Sequence, residues 1–269
     1  MSKRICERWK IPAALVMAAT MLVVSVMAAS EGFFPFMPEV AQDNWTDDTY
    51  TESAASVRSL VLDAPAGKYG HVQAKDGQFV FADTGERIKF WGVNMAFSAN
   101  FPATPQRAEE LAEDFANMGI NLVRLHGFDS SNSARASIFK DYSKNTTEFD
   151  PVQLDRLDYF VAALKERGIY VNINLTCKRI YTSGDGVESP KKVGSSGEWK
   201  SMQLLDDQLI GLQKDYAEQL LGHVNPYTGL SYAQDPAVAM IELVNETSLF
   251  RNWYDKKLDN LSGRYATVM

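Results

Sequence analysis

The run Ala237-Val-Ala-Met-Ile-Glu-Leu-Val244 is apolar at nearly every position rather than at every second one. A strand with one face in water alternates. A strand covered on both faces does not, so this pattern predicts a buried parallel strand in a sheet with helices packed on it. The run ends on Asn245 and Glu246. In barrels of alternating strands and helices the chemistry sits at the carboxyl ends of the strands, which makes Glu246 a candidate acid or base. The plainer alternative is a glutamate that caps the following helix.

Upstream, strand and helix patterns alternate. Gln78-Phe-Val-Phe and Arg87-Ile-Lys-Phe-Trp flank Ala82–Glu86, a β-hairpin signal with Gly85 in the turn, and Gly92-Val-Asn-Met continues as a first barrel strand. Thr104 and Pro105 open a helix whose apolar residues Ala108, Leu111, Ala112, Phe115 and Met118 keep helical spacing up to Gly119. Ile120–His126 is a second strand. Asp150-Pro opens the next helix, with Leu154, Leu157, Val161 and Leu164 on one face and Gly168 at its end, before a third strand at Ile169–Thr176. A helix carrying Leu205, Leu209, Leu212, Tyr216 and Leu220 then leads to the fourth strand. The folded domain is expected over 69–269, after a linker or poorly ordered lead-in at 30–68 that is rich in small and polar residues. Turns at Gly119 and Gly168 are short, whereas the segments 127–149 and 178–201 are long. Long loops on one face line a site, and short turns on the other close the floor.

Lys3, Arg4, Arg8 and Lys10 precede the uncharged run Ile11–Ala29, which reads as an export signal. The mature chain is then expected to be secreted, periplasmic or extracellular. The alternative is an uncleaved anchor at 11–29, the only route by which a membrane becomes a partner. A net charge of -7 argues against nucleic acid, which needs clustered Lys and Arg. No Gly-x-Gly-x-x-Gly follows a strand, and His71, His126 and His223 lack ligand spacing, so neither a cofactor nor a metal is expected. Cys6 precedes the apolar run, which leaves Cys177 as a packed free thiol.

Side chains two apart on a strand share a face. Gly92 with Asn94, Arg124 with His126, and Asn172 with Asn174 and Thr176 therefore form polar sets directed into the barrel, converging with Asn245 and Glu246 on one mouth. Val171, Ile173 and Leu175 face the helices. Arg124 has two readings, a catalytic support or a structural salt bridge to Glu242. His126 also has two, a structural histidine or one that contacts a substrate.

Phe90-Trp-Gly-Val-Asn94, Asn121-Leu-Val-Arg-Leu-His126 and Glu242-Leu-Val-Asn-Glu246, in this order, resemble the clan A glycoside hydrolases, in particular the cellulase-like proteins of family 5. The resemblance covers residues from about 70 to 260. It implies an α/β fold, the (β/α)8 TIM barrel, of which this chain holds an N-terminal β-hairpin and about the first four β/α units. It implies hydrolysis of O-glycosidic bonds in a polysaccharide or oligosaccharide by a retaining mechanism, with Glu246 as acid/base and Asn245 against the sugar 2-hydroxyl. Arg124 would hold the nucleophile ionised, and Asn94, His126 and Asn174 would contact the substrate. The nucleophile of that clan ends the seventh strand, which these residues do not reach. Glu242 cannot replace it: four residues along a strand span roughly 13 Å, against the 5–5.5 Å that two carboxyl groups need for retention. Many family 5 members carry a histidine on the third strand, where Asn172, Asn174 and Thr176 stand here. The alternative function is an inactive carbohydrate-binding relative or truncated pseudoenzyme, with Trp199, Trp253, Tyr181 and Phe97 as possible stacking surfaces.

Overall fold

The computed structural model describes residues 56–130, 133–188 and 196–259, with 261, 263 and 265. The leader expected at 1–29 and the lead-in up to 55 lie outside the described residues. No helix among the described residues is long and apolar enough to cross a membrane.

Two sheets are present. Strands β1 (Val72–Lys75), β2 (Gln78–Phe81) and β3 (Arg87–Ile88) form a small antiparallel sheet. The expected hairpin is its β2–β3 pair, with Val80 opposite Arg87. The third member, β1, adds through Asp76 and Gly77, both at positive φ, a tight turn that leaves Lys75 opposite Gln78. Strands β4 (Gly92–Ala96), β5 (Leu122–His126), β6 (Tyr170–Thr176) and β7 (Val238–Val244) follow in chain order as one parallel sheet. The helices Pro105–Asn117, Pro151–Glu166 and Asp207–Gly222 connect them in turn, with a shorter helix, Ser196–Met202, ahead of the last. Four sequential β/α units of this kind make part of a (β/α)8 barrel.

The helix starts are local chemistry. The Thr104 hydroxyl accepts the Arg107 amide and the Asp150 carboxylate accepts those of Val152 and Gln153, each with proline at the first helical position. Gly168 at φ 81° ends its helix, and a side chain there would meet the Ala64 backbone nitrogen at 3.1 Å.

That contact corrects the expected lead-in. Residues 56–68 are part of the domain: Arg58–Val61 is a helical turn, Arg58 pairs with Glu113 at 2.6 Å, and the buried Ala66 donates its amide to the Lys165 carbonyl at 2.8 Å. The segment is held by main-chain bonds to the ends of two helices. Such bonds leave no periodicity in a sequence.

The core lies between sheet and helices. Val123, Leu125, Val171, Ile173 and Leu175 pack on Ala112, Ala116, Leu157, Val161 and Leu164, as the facing of β6 predicted. A second cluster gathers Tyr181, Val187, Trp199, Met202, Leu209, Leu258 and Tyr265. Trp199 and Tyr181 are buried there with rings 5.2 Å apart, so neither offers a stacking surface to a sugar. Trp253 stays exposed, whereas Phe97 lies half-buried against His126. At the free edge of β7, Leu243 is 71% and Ile241 39% exposed, as an unclosed parallel sheet requires.

Candidate active site

The parallel register brings the polar residues into a row across the sheet. Asn94 is level with Arg124, Arg124 with Asn172, and Asn174 with Glu242. At the centre, the Arg124 guanidinium donates from Nε and Nη2 to the two carboxylate oxygens of Glu242, at 2.7 and 2.8 Å. The same Nη2 donates to Asn245 Oδ1 at 2.8 Å, and Nη1 to Asn94 Oδ1 at 2.9 Å. One arginine thus joins β4, β5, β7 and the turn after β7. The ion pair with Glu242, one of the two readings open for Arg124, is formed.

Hydrogen bonding from Arg124 holds the Glu242 carboxyl below its ordinary value, with burial opposing. A carboxyl depressed in the fold contributes stability that is present above its unfolded value, near 4.5, and lost as pH falls through the lower folded value. Glu242→Gln is therefore expected to flatten the loss of stability below about pH 4.5, read as urea midpoints at a series of pH values. Parallel curves for variant and parent would contradict this linkage.

His126 is closed off. Its Nδ1 lies 3.0 Å from Asn174 Oδ1 and its Nε2 3.2 Å from Cys177 Sγ. Nδ1–H donating to the amide leaves Nε2 to accept the thiol, the arrangement of a neutral ring. Burial, and then the Arg124 charge, hold the His126 pKa below its ordinary value. Burial pushes the Cys177 thiol up to about 11, which suits a proton donor and not a nucleophile. Asn174 is wholly buried. Of the three expected sugar contacts, His126 and Asn174 are thus turned toward each other, and Asn94 remains exposed beside Arg124.

Asn245 and Glu246 form the turn that leaves β7. The Asn245 amide donates to the Thr176 carbonyl at 2.8 Å, and its carbonyl accepts the Lys200 ammonium at 2.6 Å. Glu246 is exposed and takes φ 48°, a left-handed conformation that costs a non-glycine residue about 1 kcal/mol. The acid/base candidate is thereby presented to solvent at the carboxyl end of the fourth parallel strand.

Two supporting residues escaped the sequence reading. Asp129 is wholly buried below the mouth, and its carboxylate accepts the backbone amides of Cys177, Lys178 and Arg179 at 2.7 to 3.1 Å, tying the loop after β5 to the chain leaving β6. Lys200 comes from the short helix Ser196–Met202, between β6 and β7. Both act through the main chain of distant residues, and no spacing in the sequence announces that.

No family model matches the chain. Among curated proteins it is 26% identical over 228 residues to mannan endo-1,4-β-mannosidase F of Aspergillus fumigatus, a match covering 77% of this chain and 49% of that protein. It is 24% identical over 183 residues to mannan endo-1,4-β-mannosidase 4 of Oryza sativa, covering 64% and 37%. The chain spans about a third to a half of the length of these relatives. Several solved structures share the fold. An endo-1,4-β-mannanase from Rhizomucor miehei matches with a TM-score of 0.52 at 20% identity, over 66% of this chain and 48% of that one. A glycoside hydrolase family 5 mannosidase from the same fungus matches at 0.51 and 15% identity, over 74% and 54%. In sequence the chain is similar to mannan endo-1,4-β-mannosidases, and in fold to family 5 glycoside hydrolases, of whose barrel it carries part.

Proposed function

We propose that this chain supplies the acid/base half of a retaining glycoside hydrolase that cuts β-mannan or a related polysaccharide. The observation that carries the reading is the placement of Glu246: exposed at the carboxyl end of β7, directly after an Asn245 that Arg124 holds across the mouth. In the first half-reaction the protonated Glu246 carboxyl gives its proton to the glycosidic oxygen as the C–O bond breaks. In the second, its carboxylate takes a proton from the water that releases the sugar. Asn245 is aligned by Arg124 to meet the 2-hydroxyl, and the exposed Asn94 extends the sugar-facing edge. The second carboxylate comes from a part of the barrel that these residues do not span, since Glu242 is committed to Arg124. The mannan preference rests on the relatives, and export on the basic and apolar N-terminal segment.

The test is hydrolysis of galactomannan, with cellulose and xylan as alternatives. The 269-residue chain alone is expected to release no reducing ends. A longer product that carries the remaining strands of the barrel, with the second carboxylate, is expected to hydrolyse mannan. Turnover of mannan by the 269-residue chain alone would contradict the reading. Mannan bound without turnover by the longer product would favour the inactive, carbohydrate-binding alternative.

A further inference from the structure

Lys200 is an unexpected buried charge. It is only 6% exposed, it lies on the short helix Ser196–Met202, and its ammonium is directed at a main-chain carbonyl, that of Asn245. An ammonium taken out of water loses several kcal/mol of solvation unless it is well paired. Burial accordingly holds its pKa below the ordinary lysine value. A neutral side chain of similar length would fill the space without that cost.

The next residue makes a matching contact. Ser201 Oγ accepts Asn252 Nδ2 at 2.6 Å, with both residues buried. Two successive residues of one helix therefore grip the segment after β7 at its two ends, Lys200 just before Glu246 and Ser201 six residues beyond it. The helix is itself anchored: Trp199 and Met202 are wholly buried in the second cluster, against which Leu249 also packs. Between the two grips the backbone passes through the left-handed turn at Glu246, a conformation that persists only where its surroundings over-determine it.

We infer that Lys200 is a positioning residue for Glu246: its ammonium fixes the Asn245 peptide and so sets the turn that aims the Glu246 carboxyl. The catalytic consequence rests on the acid/base reading of Glu246, whereas the structural part stands without it.

The test uses the 269-residue chain with Lys200→Met, which removes the charge at similar length, and Lys200→Arg, which keeps a donor. A residue at positive φ brings its own amide and α protons close, so Glu246 is expected to show a strong intraresidue cross-peak by NMR. In Lys200→Met that signature is expected to collapse or broaden at Glu246, while the amides of β5 and β6 keep their shifts; Lys200→Arg is expected to retain it. A strong cross-peak preserved in Lys200→Met would overturn the inference, as would its absence in the parent chain. General loss of shift dispersion in Lys200→Met would also overturn it, since Lys200 would then be a folding residue only, as would loss of the Glu246 signature in a folded Lys200→Arg. In the product that hydrolyses mannan, Lys200→Met is expected to lower kcat by about tenfold to a hundredfold with KM nearly unchanged. Glu246→Gln in the same assay separates the two ideas. If that variant is fully active the acid/base reading fails, and the NMR result still decides the role of Lys200.

Discussion

Asp129→Ala is expected to lower stability by about 3–5 kcal/mol, from three donors losing their acceptor at once. The Asp129 carboxylate is wholly buried and accepts the amides of Cys177, Lys178 and Arg179. Burial raises its pKa, and the three amide bonds oppose that shift. Alanine would leave these amides in a dry pocket without a partner, each costing about 1–3 kcal/mol, less what relaxation and entering water recover. Asn keeps one acceptor oxygen and turns an amide NH2 toward the backbone donors, so Asp129→Asn is expected to lose nearly as much. Urea unfolding checks both variants. A loss below about 1 kcal/mol in Asp129→Ala would mean that the loops are held by other means.

Arg179→Met is expected to cost about 3–4 kcal/mol, since it removes three hydrogen bonds and three ring contacts together. The guanidinium is almost fully buried. It donates to the Thr146 hydroxyl at 2.9 Å, the Thr146 carbonyl at 2.8 Å and the Leu212 carbonyl at 3.0 Å. It also lies over the rings of Tyr181, Tyr216 and Phe139, at 4.5, 5.1 and 5.5 Å from their centres. Lysine keeps the charge but cannot spread donors in one plane or stack flat on the rings. Arg179→Lys is therefore expected to recover less than half of the loss. The comparison is Arg251, which is 73% exposed and pairs with Asp255 one helical turn on. Arg251→Met is expected to change stability by less than about 0.5 kcal/mol. Equal losses at the two arginines would contradict the assignment of Arg179 as the tie between the loop after β5 and the helix Asp207–Gly222.

What could be read from the sequence was what is locally encoded. Thr104-Pro105 and Asp150-Pro151 mark helix starts because cap and first-turn donors lie within three residues of each other. The facing of Asn172, Asn174 and Thr176 followed from the period of a strand, and the structure keeps Val171, Ile173 and Leu175 on the opposite, helix-packed side. The third long helix was placed from its apolar spacing, which admits Leu205. Its start is Asp207, capped by Asp206, and Leu205 is an exposed turn residue.

The rest depends on contacts between distant segments. His126 and Cys177 are 51 positions apart, and only the parallel pairing of β5 and β6 brings them to 3.2 Å. The same pairing spends His126 and Asn174 on each other, which no count of polar residues on a face could show. Asp129, Lys200 and much of residues 56–68 are held through main-chain atoms, which every residue type possesses. Trp199 and Tyr181 have the composition of a sugar platform and are instead the centre of a small core.

The most direct measurement of the central claim is made on the product that hydrolyses mannan, with Glu246→Ala and a β-mannoside of an activated phenol. Such a leaving group departs without a proton, so the first half-reaction is expected to persist while the second slows by about 10²–10⁴-fold. Added azide, which needs no general base, is expected to restore turnover and to give the β-glycosyl azide. Full activity of Glu246→Ala on mannan itself, or an α-glycosyl azide as the product, would contradict the assignment of Glu246 as acid/base of a retaining hydrolase.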